Sequence, residues 1–209
     1  HDITSVQSLR YTLDYILCNY ARKASIRSIS GVLKNLGFSD NRQNIADYLS
    51  YLNDAYLIYP VSLRTDSLAV RRTNPEKYYV IDIGLLRAMK PNTDRDRGWL
   101  LENLVFMMLR RGDNKIEYYL TKRGDEVDFI VTDKITGQRR LIQVAWDLLD
   151  ASTVKRETTA PVNAAAETGI DSKTIITWDS ESSMDDGIEV VPIWKWTLNI
   201  DSAVERVLF

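Results

Sequence analysis

Two short segments place acidic and amide side chains where they could hold a metal ion. The first is residues 124–131, Gly-Asp-Glu-Val-Asp-Phe-Ile-Val, and the second is residues 140–146, Arg-Leu-Ile-Gln-Val-Ala-Trp. If both are β-strands, alternation puts Glu126 and Asp128 on one face of the first strand, opposite its apolar residues. The second strand alternates in the same way. A hairpin of the two is therefore predicted to present a polar ledge above an apolar floor.

The chemistry that this ledge could support is that of Mg²⁺. This ion prefers hard oxygen ligands, usually one or two carboxylates with water and phosphate oxygens, and Asp128 fits the first ligand. A site that cleaves phosphodiesters also needs a carboxylate on the adjacent strand and, two residues later, a Lys to assist the attacking water. Those places hold Gln143 and Ala145. The pattern therefore predicts the scaffold of a metal site without the charges that cleavage needs.

A third acid lies upstream of the two strands. Residues 98–111 are mostly apolar and predict a buried helix that contains one acid, Glu102. Glu102 is either a first-turn residue that complements the helix dipole or a carboxylate aimed at the ledge. For Asp128 the plain alternative is a solvated strand residue. Both acids stay candidates for the same metal site.

Six short motifs follow one another along the chain. They are Lys-Tyr-Tyr-Val-Ile-Asp-Ile-Gly-Leu at 77–85, Leu-Leu-Glu-Asn at 100–103, Tyr-Tyr-Leu-Thr-Lys at 118–122, Glu-Val-Asp-Phe at 126–129, Ile-Gln-Val at 142–144 and Thr-Val-Lys-Arg-Glu at 153–157. Their order and spacing resemble the domain of unknown function that follows the ATPase module in predicted prokaryotic AAA-type ATPases. That domain is in turn similar to the PD-(D/E)xK nuclease fold, and the resemblance covers nearly the whole chain.

The resemblance assigns roles to the candidate site residues. It implies Glu102 as the helix acid and Asp128 as the second-strand acid, with both as ligands of Mg²⁺. Gln143 then stands in the place of a further acid, and the Lys of the motif is absent. Lys122 or Lys155 could reach the site from neighbouring elements as a surrogate. The catalytic site is therefore expected to be vestigial.

The sequence also lacks several motifs that bind nucleotides or catalyse reactions. It contains no Gly-x-x-x-x-Gly-Lys-Ser/Thr loop, and no Cys-x-x-Cys, His-x-x-x-His or Gly-x-Ser-x-Gly pattern. The resemblance implies that an ATPase module precedes residue 1, so ATP binding is expected there and no cofactor other than Mg²⁺ here. The chain is thus expected to be a C-terminal fragment that has its own ATPase module as a partner.

The first part of the chain predicts a winged helix over residues 1–90. Apolar residues recur at helical spacing in three segments, with Asp40 as an expected N-cap, and two strand-like runs flank an Arg-rich tip. Three helices followed by a hairpin with a basic tip are typical of that fold. The helices are predicted at 5–21, 25–36 and 39–52, the strands at 56–63 and 76–83, and the tip at 64–75.

A winged helix can contact DNA, and six side chains are candidates. Residues at the start of the third helix would face the major groove, and arginines of the tip would reach the backbone. Acids such as Asp47 and Asp66 would repel phosphate, so a helical connector that contacts protein is the alternative. The candidates are Arg42, Gln43 and Asn44 on the helix, and Arg64, Arg71 and Arg72 on the tip.

The second part, residues 91–209, predicts an α/β domain after a linker at 90–97, and the resemblance implies that this domain is nuclease-like. Its order of helix, three strands, helix and two strands argues for a layered sheet, and the whole chain is therefore assigned to the α/β (α+β) class. A polar loop is expected at 178–187. The predicted strands are 116–121, 127–132, 138–145, 173–178 and 188–192, and the second helix is 151–168.

Composition bounds these interpretations. The 209 residues are 44% hydrophobic and 27% charged, which is typical of a globular protein. The longest apolar run, 104–109, is far shorter than the roughly 20 residues that span a bilayer, so no membrane partner is expected. Cys18, the single cysteine, agrees with a cytoplasmic location and is expected to be packed. Histidine catalysis is not expected, because His1 is the single histidine.

Charge is distributed unevenly along the chain. Residues 1–77 carry 10 Lys and Arg against 7 Asp and Glu, and residues 78–209 carry 17 against 22. Neither part has the strongly basic character of a tight nucleic-acid binder. The leading hypothesis is a non-catalytic recognition or interaction region of an AAA-type ATPase. The alternatives are a Mg²⁺-dependent DNA nuclease with a displaced Lys and a DNA-binding regulator that uses the winged helix.

Overall fold

The protein mixes helices with two β-sheets, so the predicted α/β (α+β) class is confirmed. It divides into two compact units, His1–Trp99 and Leu100–Phe209, whereas the sequence pattern predicts a boundary between residues 90 and 91. The predicted N-cap Asp40 and most of the predicted linker lie outside the described residues. The computed structural model describes residues 5–39, 41–89, 96–184 and 186–198.

The first unit contains five helices and three strands within the described residues. Its sheet has the order β1-β3-β2, and β3 pairs antiparallel with both neighbours. Apolar residues of the first three helices pack on this sheet to form one core that includes Ile16, Ile29, Ile45 and Ile58. The elements are α1 (Val6–Cys18), β1 (Lys23–Ala24), α2 (Ile26–Asn35), α3 (Arg42–Asp54), β2 (Ile58–Val61), α4 (Leu68–Thr73), β3 (Glu76–Val80) and α5 (Ile83–Met89).

The first three helices begin at polar caps. The side chains of Ser5, Ser25 and Asn41 each accept a hydrogen bond from the backbone N–H three residues later. Such caps satisfy backbone N–H groups that have no partner inside the helix. Asn41 therefore takes the role predicted for its neighbour. Cys18, which was expected to be packed, is exposed at the end of α1.

Three short elements of this unit have no counterpart in the predictions. The predicted tip contains α4, which Ser67 caps by accepting from the N–H of Val70 at 3.3 Å. The strand β3 ends at Val80, and α5 follows at once with the Asp82 carboxylate accepting from the N–H of Leu85 at 2.9 Å. The strand β1 has two residues. Elements this short carry no readable periodicity, and α4 buries no residue.

The second unit is built on a six-stranded sheet with the order β4-β5-β6-β7-β9-β8. The first three strands pair antiparallel, whereas β6, β7 and β9 run parallel. The strand β8 lies within the predicted polar loop and pairs antiparallel with β9. The elements are α6 (Arg97–Leu109), β4 (Asn114–Leu120), β5 (Glu126–Asp133), β6 (Arg139–Val144), α7 (Ala151–Thr168), β7 (Lys173–Thr177), β8 (Ser182–Met184) and β9 (Ile188–Pro192), and residues 193–198 are helical.

Helices cover both faces of the sheet at β5. The small residues Ala160 and Ala164 of α7 pack against Ile130 on one face. On the other face, the rings of Phe106 in α6 and Phe129 in β5 stack with centroids 6.4 Å apart. Every residue from 127 to 131 is buried as a result. The prediction of an open polar ledge is therefore wrong, because α7 lies over it.

None of the helices in the described residues could cross a membrane. The helix α6 carries the longest apolar run, and it has 13 residues. A helix of that length rises about 20 Å, which is less than the hydrocarbon thickness of a bilayer. Its apolar side chains instead form part of the core of the second unit, where Leu101, Val105 and Leu109 are buried.

Candidate functional site

A β-bulge lies at the centre of the candidate site. Glu117 pairs with Ile130, and Tyr119 pairs with Val127, so two residues of β5, Asp128 and Phe129, lie opposite one residue of β4. A bulge changes the direction in which the next side chains point and often occurs beside functional sites. Simple alternation along β5, on which the ledge was predicted, is broken here. The bulge turns Asp128 toward the end of β6.

The side chains of Asp128 and Gln143 each accept a hydrogen bond from the backbone of the opposite strand where the β5–β6 ladder ends. The last backbone pair is Phe129 with Ile142. Beyond it, the N–H of Asp128 donates to Gln143 Oε1 at 3.2 Å, and the N–H of Val144 donates to Asp128 Oδ2 at 3.0 Å. Asp128 is 7% exposed and Gln143 is 8% exposed. The two side chains therefore satisfy backbone N–H groups that the separating strands would leave unpaired.

Glu157, which lies on α7, accepts a hydrogen bond from Gln143. Gln143 Nε2 donates to Glu157 Oε2 at 2.7 Å, and the other carboxylate oxygen, Oε1, accepts from Arg156 Nε at 2.9 Å and Nη2 at 2.6 Å. Glu157 is 5% exposed, so its charge has lost most of its hydration. A guanidinium and an amide donor compensate for that loss. We call Asp128, Gln143, Arg156 and Glu157 the Gln143 network.

The position of Glu157 follows from the helix that carries it. Asp150 caps α7 by accepting from the N–H of Thr153 at 3.0 Å, and the helix then buries one stripe of residues. An acid on a stripe of small apolar residues is the sequence signal that would have identified Glu157. The sequence left open whether residues 155–157 face solvent or brace the polar ledge, and the buried Glu157 carboxylate contacts Gln143. The buried residues of α7 are Glu157, Ala160, Pro161 and Ala164.

Glu102 is also buried, with 6% of its surface exposed. It is the sixth residue of α6, beyond the first turn, so it does not complement the helix dipole as one interpretation predicted. Phe106 follows one turn later on the same helix face and stacks on Phe129. Glu102 therefore lies on the face of α6 that packs toward β5. The alternative interpretation of Asp128 as a solvated strand residue is wrong as well.

The two lysines proposed as surrogates are both exposed. Lys122 lies in the turn between β4 and β5, and Lys155 lies on the outer side of α7, two residues before Glu157. Within the described ranges, no three His, Cys, Asp or Glu side chains group closely enough to hold a metal ion. Glu102 and Asp128 therefore belong to no group of three or more such side chains, and their assignment as Mg²⁺ ligands stays a prediction.

A second contact set ties α7 to the turn that precedes Asp128. The hydroxyl of Tyr119 donates to Glu167 Oε2 at 2.8 Å, and the N–H of Lys122 donates to both oxygens of the same carboxylate at 2.9 and 3.1 Å. Asn163 Nδ2 also donates to Asp125 Oδ2 at 2.8 Å. Burial, together with the Glu167 carboxylate, raises the pKa of Tyr119 to about 12. Helix α7 thus contacts β5 at its bulge and at the turn before it.

The candidate DNA-reading residues lie at the start of α3, but they differ in exposure and in their hydrogen bonds. Arg42 and Gln43 are exposed, and Asn44 is half-buried. Gln43 Nε2 donates to Asp47 Oδ1 at 2.8 Å, which occupies part of its amide. The N–H of Asn44 donates to the capping side chain. Arg42 is therefore the charged side chain of this set, and it is exposed.

The arginines of the predicted tip are divided in the same way. Arg64 and Arg71 are half-buried, whereas Arg72 is exposed. Arg71 Nη2 donates to the carbonyl oxygen of Thr65 at 3.0 Å, so it braces the loop that leads into α4. Helix α4 therefore gives Arg71 and Arg72 different roles, which the sequence pattern did not separate.

The amino-acid sequence is similar to one family of proteins and to an archaeal protein. Residues 1–96 match the family described as Domain of unknown function (DUF8612). The chain is also similar to a protein of Methanocaldococcus jannaschii named Uncharacterized protein MJ1544, with 31% identity over 210 residues. That alignment covers 95% of this chain and 46% of the relative, so the chain spans about half the length of the curated relative that it matches. No solved structure matches the chain significantly.

Proposed function

We propose that this chain is a recognition and interaction region of a larger prokaryotic AAA-type ATPase, with a nuclease-like second unit that does not cleave nucleic acid. One observation carries the proposal. Asp128 and Gln143, which occupy the places of catalytic acids in the family that the sequence resembles, hydrogen-bond to the backbone of each other's strands. The two side chains thereby hold β5 and β6 together next to α7, at the point where the backbone ladder ends.

The electrostatics of the Gln143 network support the absence of cleavage. Hydrolysis of a phosphodiester needs a metal or a cation beside the attacking water, because negative charge develops on the phosphate. The guanidinium of Arg156 is paired with Glu157, and the amide of Gln143 carries no charge. Lys122 and Lys155, the proposed surrogates, have exposed side chains. The network neutralises a buried acid, and the described residues contain no group of three or more His, Cys, Asp or Glu side chains that could hold a metal ion.

The length of the archaeal relative supports a role within a larger protein. The aligned region makes up 46% of that relative, which leaves room for a further module. We propose that this module is the ATPase and that it, rather than the present chain, binds ATP. The single cysteine agrees with the cytoplasmic location that we propose for the whole protein.

The first unit supports the recognition role. Its first three helices, with β1 between α1 and α2 and with β2 and β3 as an antiparallel pair, follow the element order of a winged helix. Winged helices serve both nucleic-acid and protein recognition, so the fold alone does not choose between them. The exposed side chains of Arg42 and Arg72 favour DNA as a second candidate partner. Its test is given with the other predictions below.

A plasmid assay tests the proposal that the second unit does not cleave. Supercoiled DNA incubated with the chain and Mg²⁺ or Mn²⁺ is expected to stay supercoiled. Cleavage that disappears in Asp128→Asn and persists in the matched control Asp133→Asn would overturn the proposal. Asp133 lies on the same strand and caps the turn that follows, so it controls for the removal of one carboxylate from β5. Circular dichroism of each variant shows whether it is folded.

A further inference from the structure

Two tryptophans stack at the carboxyl end of the parallel strands. Trp146 follows β6, Trp178 follows β7, and their ring centroids lie 4.8 Å apart with planes 10° from parallel. Trp178 is 50% exposed even though one face of its ring is stacked. Ligands of open α/β sheets commonly bind at this end of parallel strands. We call the pair the tryptophan stack.

The tryptophan stack is held in place by the sheet. The N–H of Trp178 donates to the carbonyl oxygen of Trp146 at 3.1 Å, two residues beyond the last β6–β7 pair. The fully buried Thr177 then fixes the turn, because its hydroxyl donates to the carbonyl of Ser180 at 2.6 Å and accepts from the N–H of Ser180 at 2.9 Å. An exposed ring held this rigidly loses little conformational entropy when it binds a partner. Exposed aromatic side chains of this kind often carry much of an interface's binding energy.

Carboxylates flank both residues of the tryptophan stack in sequence. Asp147 follows Trp146 directly, and the exposed Asp179 follows Trp178. From residue 178 to residue 187 the sequence contains four acids and no Lys or Arg. Lys195, a nearby cation in sequence, is paired with Glu181. The two segments that carry the rings are therefore acidic in sequence.

This charge selects among the partners that an aromatic stack could bind. A nucleic-acid strand could stack its bases on Trp178, but its phosphates would meet Asp147 and Asp179. A guanidinium meets the opposite conditions, because it lies flat on an aromatic face and donates in plane to carboxylates. Its charge is complementary to the acids on both strands. A basic peptide thus matches the site better than DNA or RNA.

We propose that the tryptophan stack, with Asp147 and Asp179, is a docking site for an arginine side chain of a basic peptide segment on a partner protein. The proposal names a partner class for the recognition role and rests on it. The Arg guanidinium stacks on the exposed part of Trp178, and its N–H groups donate to the neighbouring carboxylates.

Titration with a labelled peptide in which Arg alternates with Gly and Ser tests this site. Binding is followed by anisotropy and by tryptophan fluorescence, and the Arg peptide is expected to bind. The same peptide with citrulline in place of Arg keeps the planar side-chain shape and loses the charge, so its binding is expected to be at least about tenfold weaker. Trp178→Ala is expected to weaken binding about tenfold, and Trp178→Phe less, because a ring face remains. Ile135→Ala is the control, since that side chain is 67% exposed and lies in the turn before the amino end of β6.

Three outcomes would each overturn the docking site. They are equal binding of the two peptides, binding unaffected by Trp178→Ala, and displacement of the Arg peptide by single-stranded oligothymidine. Absence of any binding by the folded wild-type chain would do the same. The proposed absence of cleavage is judged separately in the plasmid assay. A chain that neither cuts DNA nor binds the peptide keeps the first proposal and loses this one.

Discussion

Gln143 Nε2 donates a hydrogen bond to Glu157 Oε2 at 2.7 Å, and both side chains are more than nine-tenths buried. The contact joins β6 to α7 directly above the bulge at Asp128. It gives the amide of Gln143 two partners of the correct kind, since its oxygen accepts from a backbone N–H while its nitrogen donates to a carboxylate. A carboxylate at position 143 would instead place two acids side by side in a buried setting. An amide at position 143 therefore fits beside the buried Glu157 carboxylate better than an acid would.

Removal of Glu157 is the first test of this relationship. Glu157→Ala leaves a buried amide N–H without its acceptor, so the free energy of unfolding is expected to fall by about 1–3 kcal/mol. The measurement is urea unfolding, where the midpoint should fall while the slope stays unchanged. The neighbouring Lys155→Ala is the control, because that exposed side chain is expected to change stability by less than about 0.5 kcal/mol. Equal effects of the two substitutions would contradict a buried role for Glu157.

The role of Asp128 as an acceptor predicts different effects for two substitutions. Asp128→Asn keeps a carbonyl oxygen that can accept from the N–H of Val144, whereas Asp128→Ala leaves that N–H unpaired. The alanine variant is expected to lose about 1–3 kcal/mol of stability and the asparagine variant clearly less. Hydrogen exchange measures the effect directly, because the amide of Val144 should exchange faster in the alanine variant. An asparagine variant as unstable as the alanine variant would contradict the backbone role.

The cap of α7 predicts a pH dependence. The hydroxyl of Ser152 and the N–H of Thr153 donate to Asp150 and hold the pKa of its carboxyl below the usual value. Because the folded pKa is lower than the unfolded one, this group stabilises the fold above about pH 4, and that contribution is lost as the pH falls through the folded pKa. Asp150→Asn keeps a capping oxygen and removes the titration. Thermal unfolding should therefore separate the variant from wild type near neutral pH and bring the two together in acid.

Two glycines predict stability changes of opposite sign. Gly169 ends α7 with φ of 66°, and a Cβ there would meet no atom within 4 Å, so Gly169→Ala is disfavoured by backbone conformation alone. It is expected to destabilise the chain by about 1 kcal/mol. Gly31 lies inside α2, where an added Cβ also meets nothing, and Gly31→Ala is expected to stabilise by about 0.5–1 kcal/mol. Thermal melting of both variants would show the contrast, and shifts of the same sign would contradict it.

DNA binding by the first unit predicts a gel shift that depends on salt. Arg42→Ala is expected to weaken the binding of duplex DNA, because Arg42 is exposed at the start of α3. If Arg42 contacts a phosphate, the slope of the logarithm of the binding constant against the logarithm of the salt concentration is expected to fall in magnitude by about one. Lys34→Ala is the matched control, since it removes an exposed cation from α2. No shift at low salt, or equal loss in both variants, would remove DNA as the second candidate partner.

The periodic parts of the fold could be predicted from the sequence. The helices α1 to α3 and α7, together with the strands β5 and β6, lie within a few residues of their predicted positions. Their apolar residues repeat at helical or alternating spacing, which depends on local geometry alone. The elements α4, α5, β1 and β8 were missed because each is too short to show a period. The bulge at Asp128 was missed because it depends on pairing with β4.

The sequence by itself determined the mixed α/β class and the residue types at the candidate site, including the Gln and Ala where a nuclease of the resembling family has an acid and a Lys. Only the tertiary structure decided what those residues contact. Glu157 lies 14 positions after Gln143, and the two meet because α7 folds back over β6 and buries both. Burial makes an unpaired polar group costly, so these partners are fixed by packing between elements, which no local pattern records.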